Sequence, residues 1–521
     1  MPAGHIKGLK MRLSRSKNAK RNILVGEIDR VTGIILPFIV RTMILHIMGT
    51  QYLGLTSLFY SILQMLNLME MGFGTAIVYS MYKPIAENDT KTINALLAFY
   101  RKVYIVVGTL VAIIGIGLMP FLPYLIKDKV PSDINIYYLY VIYLINTCIN
   151  FFVFPNKKAL ITAFQRDDIG GRIHIFTQAA MYIGQALFVW LAKDYYLYAA
   201  MMPITSVLYS LLVAVKVTKK YPEYKPAGKL SSETSKDIKK QVTGLMIRKL
   251  AMLSRNSFDS IFISAYLGLR MTTLYSNYYY IMDSVVMILA VIKTSMAGGV
   301  GNAIAMEKQS KNLHDMSVID FLFMWIGGWC SICLLCLYEP FMKIWVGEKM
   351  MLGMPIALMF SVYFYILKMS DIRTLYSEAV GLWWQARYIS IMEALANLIL
   401  NWVLIRFMGL YGIILATLIS YFIFHFLGGA YILFKHYFTD GGMVQYLISH
   451  GRYMVITFGI GALTFYVCHL INFEGIQGLI TKGLICAVLP NVVYFLLYFK
   501  TKNFSEAMRL LKFKKDKKEN V

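Results

Sequence analysis

The residues of this sequence that could do chemistry are charged side chains inside long apolar segments. A charge in such surroundings costs about 3 kcal/mol or more unless it faces other protein groups or a water-filled cavity. Each one is therefore a candidate for ligand binding or ion pairing. The candidate cations are Arg41, Arg255, Lys293 and Arg373, and the candidate acids are Glu70, Asp259, Asp283 and Asp371.

The four cations favour an anionic ligand. An Arg side chain binds a diphosphate through paired hydrogen bonds, and a Lys side chain binds it as a point charge. Because these cations lie in both halves of the chain, together they would line a cavity suited to a diphosphate. Alternatively, each cation could form a structural ion pair, or its long side chain could extend along the helix so that the charge lies among the lipid headgroups. Lys293 is close enough to the predicted inner end of its helix for the latter.

The four acids have two interpretations. They could bind a coupling ion, H⁺ or Na⁺, or they could act as counter-ions for nearby cations. Arg255 and Asp259 are four residues apart and share a helical face, whereas Asp371 and Arg373 are two apart and point to different sides. The sequence contains no motif that fixes the coupling ion and no nucleotide-binding motif.

The composition indicates what positions these charges. The 521 residues are 58% hydrophobic and 15% charged, with a mean hydropathy of +0.57, whereas soluble domains are about 45–50% apolar and 25% charged. A membrane-spanning helix needs about 20 mostly apolar residues. About fourteen such runs predict an all-α polytopic membrane protein. The predicted spans are 24–47, 55–80, 103–126, 134–154, 172–191, 196–216, 245–267, 273–297, 317–338, 355–380, 389–407, 411–434, 453–471 and 479–499.

The distribution of Lys and Arg predicts the orientation. Cytoplasmic segments of membrane proteins carry an excess of both residues, and here they concentrate in alternate segments, above all 1–24, 216–249 and 500–521. The loops between hold only Lys127, Lys129, Lys193, Arg270, Lys343 and Lys349. Both termini are therefore predicted to be cytoplasmic. The formal charge of +24 then reflects topology and attraction to anionic lipid, not nucleic-acid binding.

A weak internal repeat predicts two lobes. Shifting the chain by 219 positions aligns Gly49 with Gly268, between the first and second helix of each half. Duplication of this kind is common in transporter folds. The predicted parts are a basic N-terminus 1–22, a six-helix lobe 23–218, a cytoplasmic linker 219–244, a second six-helix lobe 245–436, a helix pair 437–500 and a basic cytoplasmic tail 501–521.

Two further features have alternative interpretations. The tail is either an amphipathic helix or a disordered basic extension; the apolar residues of such a helix are Phe504, Met508, Leu510 and Leu511. The cysteines 330, 333 and 336 are spaced as metal ligands could be, yet no extra His or carboxylate accompanies them. Buried packing thiols, and no metal site, are therefore expected.

Several strings in the chain resemble a known family. They are RTMILHIMGTQYLGLTSLFYSIL (41–63), EMGFGTAIVYSMYKPIAEND (70–89), LGLRMTTLYSNYY (267–279), GGVGNAIA (298–305), PFMKIWVG (340–347) and the stretch from Glu378 through Arg387 to Asn397. In this order and spacing, from about residue 21 to 440, they resemble the Wzx-type oligosaccharide flippases of the polysaccharide-transporter family in the MOP superfamily. The segment VFPNKKALITAFQRDDI (153–169) departs from the family pattern at Pro155, so no role is transferred to it.

The resemblance implies two six-helix lobes in an inverted V around a central cationic cavity, with the last two helices at the periphery. The implied passenger is an undecaprenyl-diphosphate-linked oligosaccharide repeat unit. It would move from the inner to the outer leaflet of the bacterial cytoplasmic membrane for capsule, exopolysaccharide or O-antigen-like glycan. The implied mechanism is alternating access without covalent chemistry, so no catalytic residue and no cofactor is expected. Implied partners are this lipid-linked oligosaccharide, membrane lipids, and the polysaccharide polymerase and chain-length machinery.

Two other functions remain open. An ion-coupled multidrug exporter of the same superfamily would prefer acidic residues around an organic cation, and the intramembrane Arg residues argue against it. A membrane enzyme that acts on polyprenyl-linked glycans, such as a polymerase or ligase, usually carries catalytic residues on large outer loops. The outward loops near 119–133 and 339–354 are short.

Replacing Arg41, Arg255 and Arg373 one at a time by Ala tests the cationic-cavity hypothesis. Each variant is expected to make less surface glycan, because a charge-assisted hydrogen bond contributes about 1.5–3 kcal/mol. Glycan staining, with immunoblotting to confirm normal protein levels, measures the effect. Unchanged glycan in all three variants would defeat the hypothesis.

Overall fold

The computed structural model describes residues 3–66, 73–230 and 257–516. Every regular element within these ranges is helical, as the sequence predicts. The chain forms two compact units, Met1–Thr273 and Leu274–Val521. The boundary between them falls inside a helix, and the predicted linker 219–244 lies partly outside the described residues. The division into two six-helix lobes therefore stays a prediction.

The helices of the first unit are α1 (Ala3–Ile47), α2 (Thr50–Leu66), α3 (Phe73–Glu87), α4 (Thr90–Leu118), α5 (Ile136–Phe152), α6 (Pro155–Ala163), α7 (Asp167–Leu187), α8 (Tyr195–Lys220) and α9 (257–267). The chain continues beyond α4 as a 3₁₀-helix over Met119–Leu125, and beyond α7 as a π-helix over Phe188–Ala192.

Helix α10 (Leu269–Met306) begins in the first unit and continues into the second. The other helices of the second unit are α11 (Gln309–Val346), α12 (Met354–Met369), α13 (Asp371–Val380), α14 (Arg387–Met408), α15 (Leu410–Ser420), α16 (Gly429–His436), α17 (Met443–His469), α18 (Gly475–Tyr498) and α19 (Lys502–Asp516). Between α15 and α16 the segment Tyr421–Gly428 is a π-helix.

The spans are largely those that the sequence predicts. Among the described residues, eleven helical segments are long and apolar enough to cross a membrane, and twelve if the bent pair α5 and α6 is one span. Each coincides with one predicted span. The predicted spans 55–80 and 245–267 lie partly outside the described residues, so the number fourteen stays a prediction. The chain is a multi-pass membrane protein.

Polar side chains before the spans fix where several helices begin. Asp89 Oδ1 accepts a hydrogen bond from the Thr92 amide at 3.0 Å, before α4. Asp194 Oδ1 accepts one from the Tyr196 amide at 2.8 Å, before α8. The first turn of a helix leaves its amide groups without partners, so each cap contributes about 1 kcal/mol.

Gly49 and Gly268 make the same turn at the two places that the internal repeat aligns. The Gly49 amide donates to the Ile44 carbonyl at 2.9 Å, and the Gly268 amide donates to the Ile263 carbonyl at 3.0 Å. Their φ angles of 112° and 92° lie where residues with a side chain are strained. The matching turns join α1 to α2 and α9 to α10, at the positions that the alignment pairs; the internal repeat itself stays a prediction.

Besides the 3₁₀-helix and the π-helix that end the spans of α4 and α7, three described spans are interrupted. Helices α5 and α6 meet at a bend of 53°, where Phe154 has a φ of 51° and Pro155 begins α6. Helix α12 ends before Ser370, and α13 begins after it. The third departure is the π-helix between α15 and α16. Such departures expose backbone groups that side chains can bind, and the last two position charged residues of the second unit.

The basic tail forms the helix α19 and packs against α11 and α18. Ala507 is fully buried, and the Phe504 ring lies 6.1 Å from the Trp325 ring. Glu506 Oε2 is 2.6 Å from His314 Nε2. Of the two interpretations of the tail, the structure shows the helix for the described residues.

The substitution Gly54→Ala tests the close packing of α2 on the start of α10. A Cβ at Gly54 would collide with the Leu269 carbonyl oxygen and lie 2.8 Å from its carbon. Overpacking of this kind costs about 1–3 kcal/mol, so we expect a lower unfolding temperature in detergent, measured by light scattering. Gly26→Ala is the control, because no atom lies within 4 Å of its Cβ. Equal unfolding temperatures would rule out this packing.

Candidate charged site in the second unit

Asp371 lies between two lysine side chains. Its Oδ1 is 3.2 Å from Lys293 Nζ, and its Oδ2 is 2.7 Å from Lys368 Nζ. The Lys368 side chain is 3% exposed, whereas those of Lys293 and Asp371 are 19% and 16% exposed. Two cations share one carboxylate, so these three residues, the lysine–aspartate triad, carry one excess positive charge. That charge is partly accessible at Lys293.

Three helices contribute the triad, two of which are separated only by the helix break at Ser370. Lys293 comes from α10, Lys368 from the last turn of α12 and Asp371 from the first turn of α13. A carboxylate at a helix N-terminus is favoured by the positive end of the helix dipole. Gly327 of α11 makes room for the Lys368 stem, because a Cβ there would lie 2.9 Å from Lys368 Cβ.

Arg373 of α13 is held by the π-helix of a neighbouring span. Its Nη2 donates to the His425 carbonyl at 2.9 Å, and the residue is 5% exposed. Gly429 creates the space, since a Cβ there would collide with the guanidinium. Arg373 Nε is buried and has no hydrogen-bond partner among the described residues. Arg373 therefore keeps a donor for a further acceptor, next to a π-helix of the kind that recurs at functional sites.

The other predicted site residues lie elsewhere. Asp283 is on α10, where the charge of Lys368 acts on it. Arg41 is half-buried on α1 of the first unit, where its charge acts on the Tyr198 hydroxyl. Asp259 is 2% exposed on α9. Glu70 and Arg255 lie outside the described residues. Among these predicted residues, the structure brings Lys293 and Asp371 into direct contact.

Two acid–histidine pairs with a buried carboxylate were not predicted. Asp320 Oδ2 of α11 is 3.2 Å from His450 Nε2 of α17, and Glu393 Oε2 of α14 is 3.2 Å from His425 Nδ1. Both acids lie inside predicted spans, so a charge within an apolar segment, which marked the other acids as candidates, marks these two as well. His450 lies outside every predicted span, and no sequence signal points to it.

A cluster of neutral polar side chains joins α14 to α15. Asn397 Nδ2 donates to Thr417 Oγ1 at 3.1 Å, and Asn401 Nδ2 donates to Asn397 Oδ1 at 3.3 Å. These three residues and Ser420 are completely buried. Neutral residues give no charge signal in an apolar segment, so the sequence does not distinguish this cluster from ordinary packing.

Three buried thiols lie where α17 and α18 pack against α11. The sulfur atoms of Cys336, Cys468 and Cys486 lie within 4.8 Å of one another, inside an apolar core. Cys330 and Cys333 are half-buried on α11. The grouping differs from the sequence run 330–336, because helices distant in the sequence bring the thiols together.

The chain has the fold of MOP superfamily transporters. It is similar to an inward-facing MATE family multidrug resistance transporter of that superfamily, at 12% identity over 80% of this chain and 98% of that chain, with a TM-score of 0.65. It is also similar to the lipid II flippase MurJ in an inward closed conformation, at 13% identity over 92% of this chain and 98% of that chain, with a TM-score of 0.61.

A third similar structure is a MOP superfamily transporter from Pyrococcus furiosus, described by a reverse polarity of its binding pocket that suggests a different function. It is 12% identical over 80% of this chain and 95% of that chain, with a TM-score of 0.54. No family model and no curated protein matches the sequence. The predicted MOP-like fold is confirmed, and membership of the Wzx-type family stays a prediction.

The substitution Asp371→Asn tests the triad. It leaves Lys368 buried without its counter-ion, and removing one partner of a buried ion pair costs about 3–5 kcal/mol. We expect a clearly lower unfolding temperature by scanning calorimetry in detergent. Glu307→Gln is the control, because its pair with Lys311 is 31% and 59% exposed and contributes about 1 kcal/mol or less. If both variants unfold at the same temperature, the triad is not formed.

Proposed function

We propose that the chain is a flippase that moves undecaprenyl-diphosphate-linked oligosaccharide units from the inner to the outer leaflet of the bacterial cytoplasmic membrane. The observation that supports this most is the lysine–aspartate triad, where two ammonium groups share one carboxylate within apolar spans. A diphosphate diester carries two negative charges and competes with Asp371 for both ammonium groups. The excess positive charge favours an anionic passenger.

The similar structures support a passenger held by charge. One protein of this fold is described as a lipid II flippase, and its likeness extends over 92% of this chain. Another is set apart by the reversed polarity of its binding pocket. The fold alone does not distinguish these functions, so the charge of the triad is what favours an anionic passenger here.

The side chains that would bind the diphosphate differ in how exposed they are. Lys293 is the most exposed cation of the triad and meets the diphosphate first. Arg373 then supplies its free Nε donor from the same helix as Asp371. The break at Ser370 and the π-helix allow α13 to shift as Asp371 gives up a lysine. No bond of the passenger is made or broken, and alternating access completes the movement.

The alternative is an ion-coupled multidrug exporter. The similarity to a MATE family transporter, the half-buried acid Asp283 and the buried acids Asp320 and Glu393 favour it. An organic cation needs an accessible carboxylate, however, and Asp371 already binds two lysines. The net charge of the triad repels such a cation.

Lys293→Met in proteoliposomes tests the flippase proposal. The variant loses the excess charge but keeps Lys368 and Asp371 as a satisfied ion pair, so the fold is retained. We expect flipping of a fluorescent prenyl-diphosphate-linked oligosaccharide to slow about tenfold or more, since a charge-assisted hydrogen bond contributes about 1.5–3 kcal/mol. Quenching of the outer leaflet by an impermeant reductant measures the rate.

Lys311→Met is the matched control, because Lys311 is 59% exposed and pairs with Glu307; its flipping rate is expected to equal that of the wild type. Lys293→Arg keeps the charge and should retain most activity. Ethidium transport in the same vesicles tests the exporter. Wild-type flipping by a folded Lys293→Met variant, or ethidium transport without any flipping, contradicts the proposal.

A further inference from the structure

A buried carboxyl–imidazole pair lies apart from the triad. Asp320 Oδ2 is 3.2 Å from His450 Nε2, and the two side chains are 5% and 1% exposed. The pair connects α11 to α17, one of the two helices for which the family resemblance implies a peripheral position. The carboxylate and the imidazole can each accept a proton, and the proposed binding step uses neither of them.

Aromatic rings surround the imidazole. The rings of Tyr446, Phe426 and Tyr453 lie 4.2, 5.2 and 6.0 Å from the His450 ring. The Coulomb energy between two charges rises as the local dielectric constant falls. A proton gained by this pair therefore acts on neighbouring charges more strongly than a proton gained at the protein surface.

The contacts of the pair determine its proton count. His450 Nδ1 is 3.0 Å from the Tyr446 carbonyl oxygen, which can only accept, so Nδ1 carries a hydrogen. The remaining proton sites are His450 Nε2 and the Asp320 carboxylate. Asp320 Oδ1 is buried with no hydrogen-bond partner in the described part of the chain. One proton on these sites makes the pair neutral, and a second makes it positive.

The charged neighbours of Asp320 lie on the helix that carries the anion site. Helix α11, which carries Asp320, packs directly against α13, and the charges of Asp371 and Arg373 on α13 act on the Asp320 carboxylate. The other titratable groups that interact with it are His450, Tyr446 and Tyr453 of α17 and Tyr365 of α12. Tyrosine hydroxyls are neutral near pH 7, so α13 provides the fixed charges that a proton on the pair would influence.

We propose that the Asp320–His450 pair is a proton-binding site linked through α13 to the binding of the anionic passenger. It rests on the proposed function for the identity of that anion. The first proton neutralises the negative charge of the pair, and the second, which leaves both Asp320 and His450 Nε2 protonated, makes the pair positive beside Arg373. Both effects strengthen anion binding. By thermodynamic linkage the bound anion increases proton affinity by the same factor.

The sign of this linkage has a mechanistic consequence. Proton and passenger favour each other, whereas an exchange mechanism through this pair would require that they exclude each other. The pair therefore stabilises a state that holds both. It also gives α17 a role in binding, although α17 carries none of the predicted site residues.

Infrared difference spectroscopy of the full chain in lipid nanodiscs tests the proton site without a passenger. The carboxylic C=O band of Asp320 is expected to grow as the pH falls from about 8 to 5. It should be missing from Asp320→Asn, which keeps the side-chain shape. A wild-type spectrum without a titrating band, or the same band in Asp320→Asn, overturns the proposal.

The pH dependence of anion binding tests the linkage. The probe is a short-chain prenyl diphosphate ester of a sugar, whose two phosphates are strong acids, so its own charge does not change in this range. Calorimetry is expected to show wild-type binding about three- to tenfold tighter at the lower pH. Asp320→Asn and His450→Gln are each expected to bind with little pH dependence; the second variant serves if the first does not fold.

His469→Gln is the matched control, because His469 is an exposed histidine at the end of the same helix; it should keep the wild-type pH dependence. Identical pH dependence in Asp320→Asn and the wild type overturns the linkage and leaves the proposed function intact. Failure of the probe to bind at any pH contradicts the proposed function and the linkage together, and the infrared band then decides the proton site alone.

Discussion

The structure of the second unit depends on one constraint, which is that a charge inside an apolar span must have a partner. Asp371 meets this constraint for two lysines at once. The break at Ser370 places its carboxylate at a helix N-terminus, and Gly327 admits the Lys368 stem. For Arg373, the π-helix supplies a carbonyl acceptor and Gly429 leaves space for the guanidinium. In the second unit, the break at Ser370 and the π-helix thus each accommodate a charged side chain.

The same constraint connects structure to function. Full neutralisation would have made the site a structural ion pair, which contributes little to binding. Two lysines for one carboxylate leave a positive charge that an anion can use, and the free donor of Arg373 adds to it. The fold alone carries no such information, because exporters and a lipid flippase share it.

The sequence predicts the spans well, because apolar length is a local property. The repeat alignment pairs Gly49 with Gly268, and both have a positive φ. The sequence selects Lys293, Asp371 and Arg373 as candidates because charges are conspicuous in apolar segments. It does not predict which residues these side chains contact, because several of the contacts are between helices far apart in the chain. Lys293 meets Asp371 across 78 positions, and Cys336 meets thiols of α17 and α18. His450 and Asn397 carry no such signal, and the π-helix that binds Arg373 follows no residue pattern that the sequence displays.

A structure determined with a bound prenyl-diphosphate-linked sugar tests the central claim most directly. We expect a phosphate oxygen within hydrogen-bond distance of Lys293 Nζ, with Asp371 moved away from at least one of its two lysines. Phosphates bound elsewhere, with both lysines still on Asp371, would contradict it.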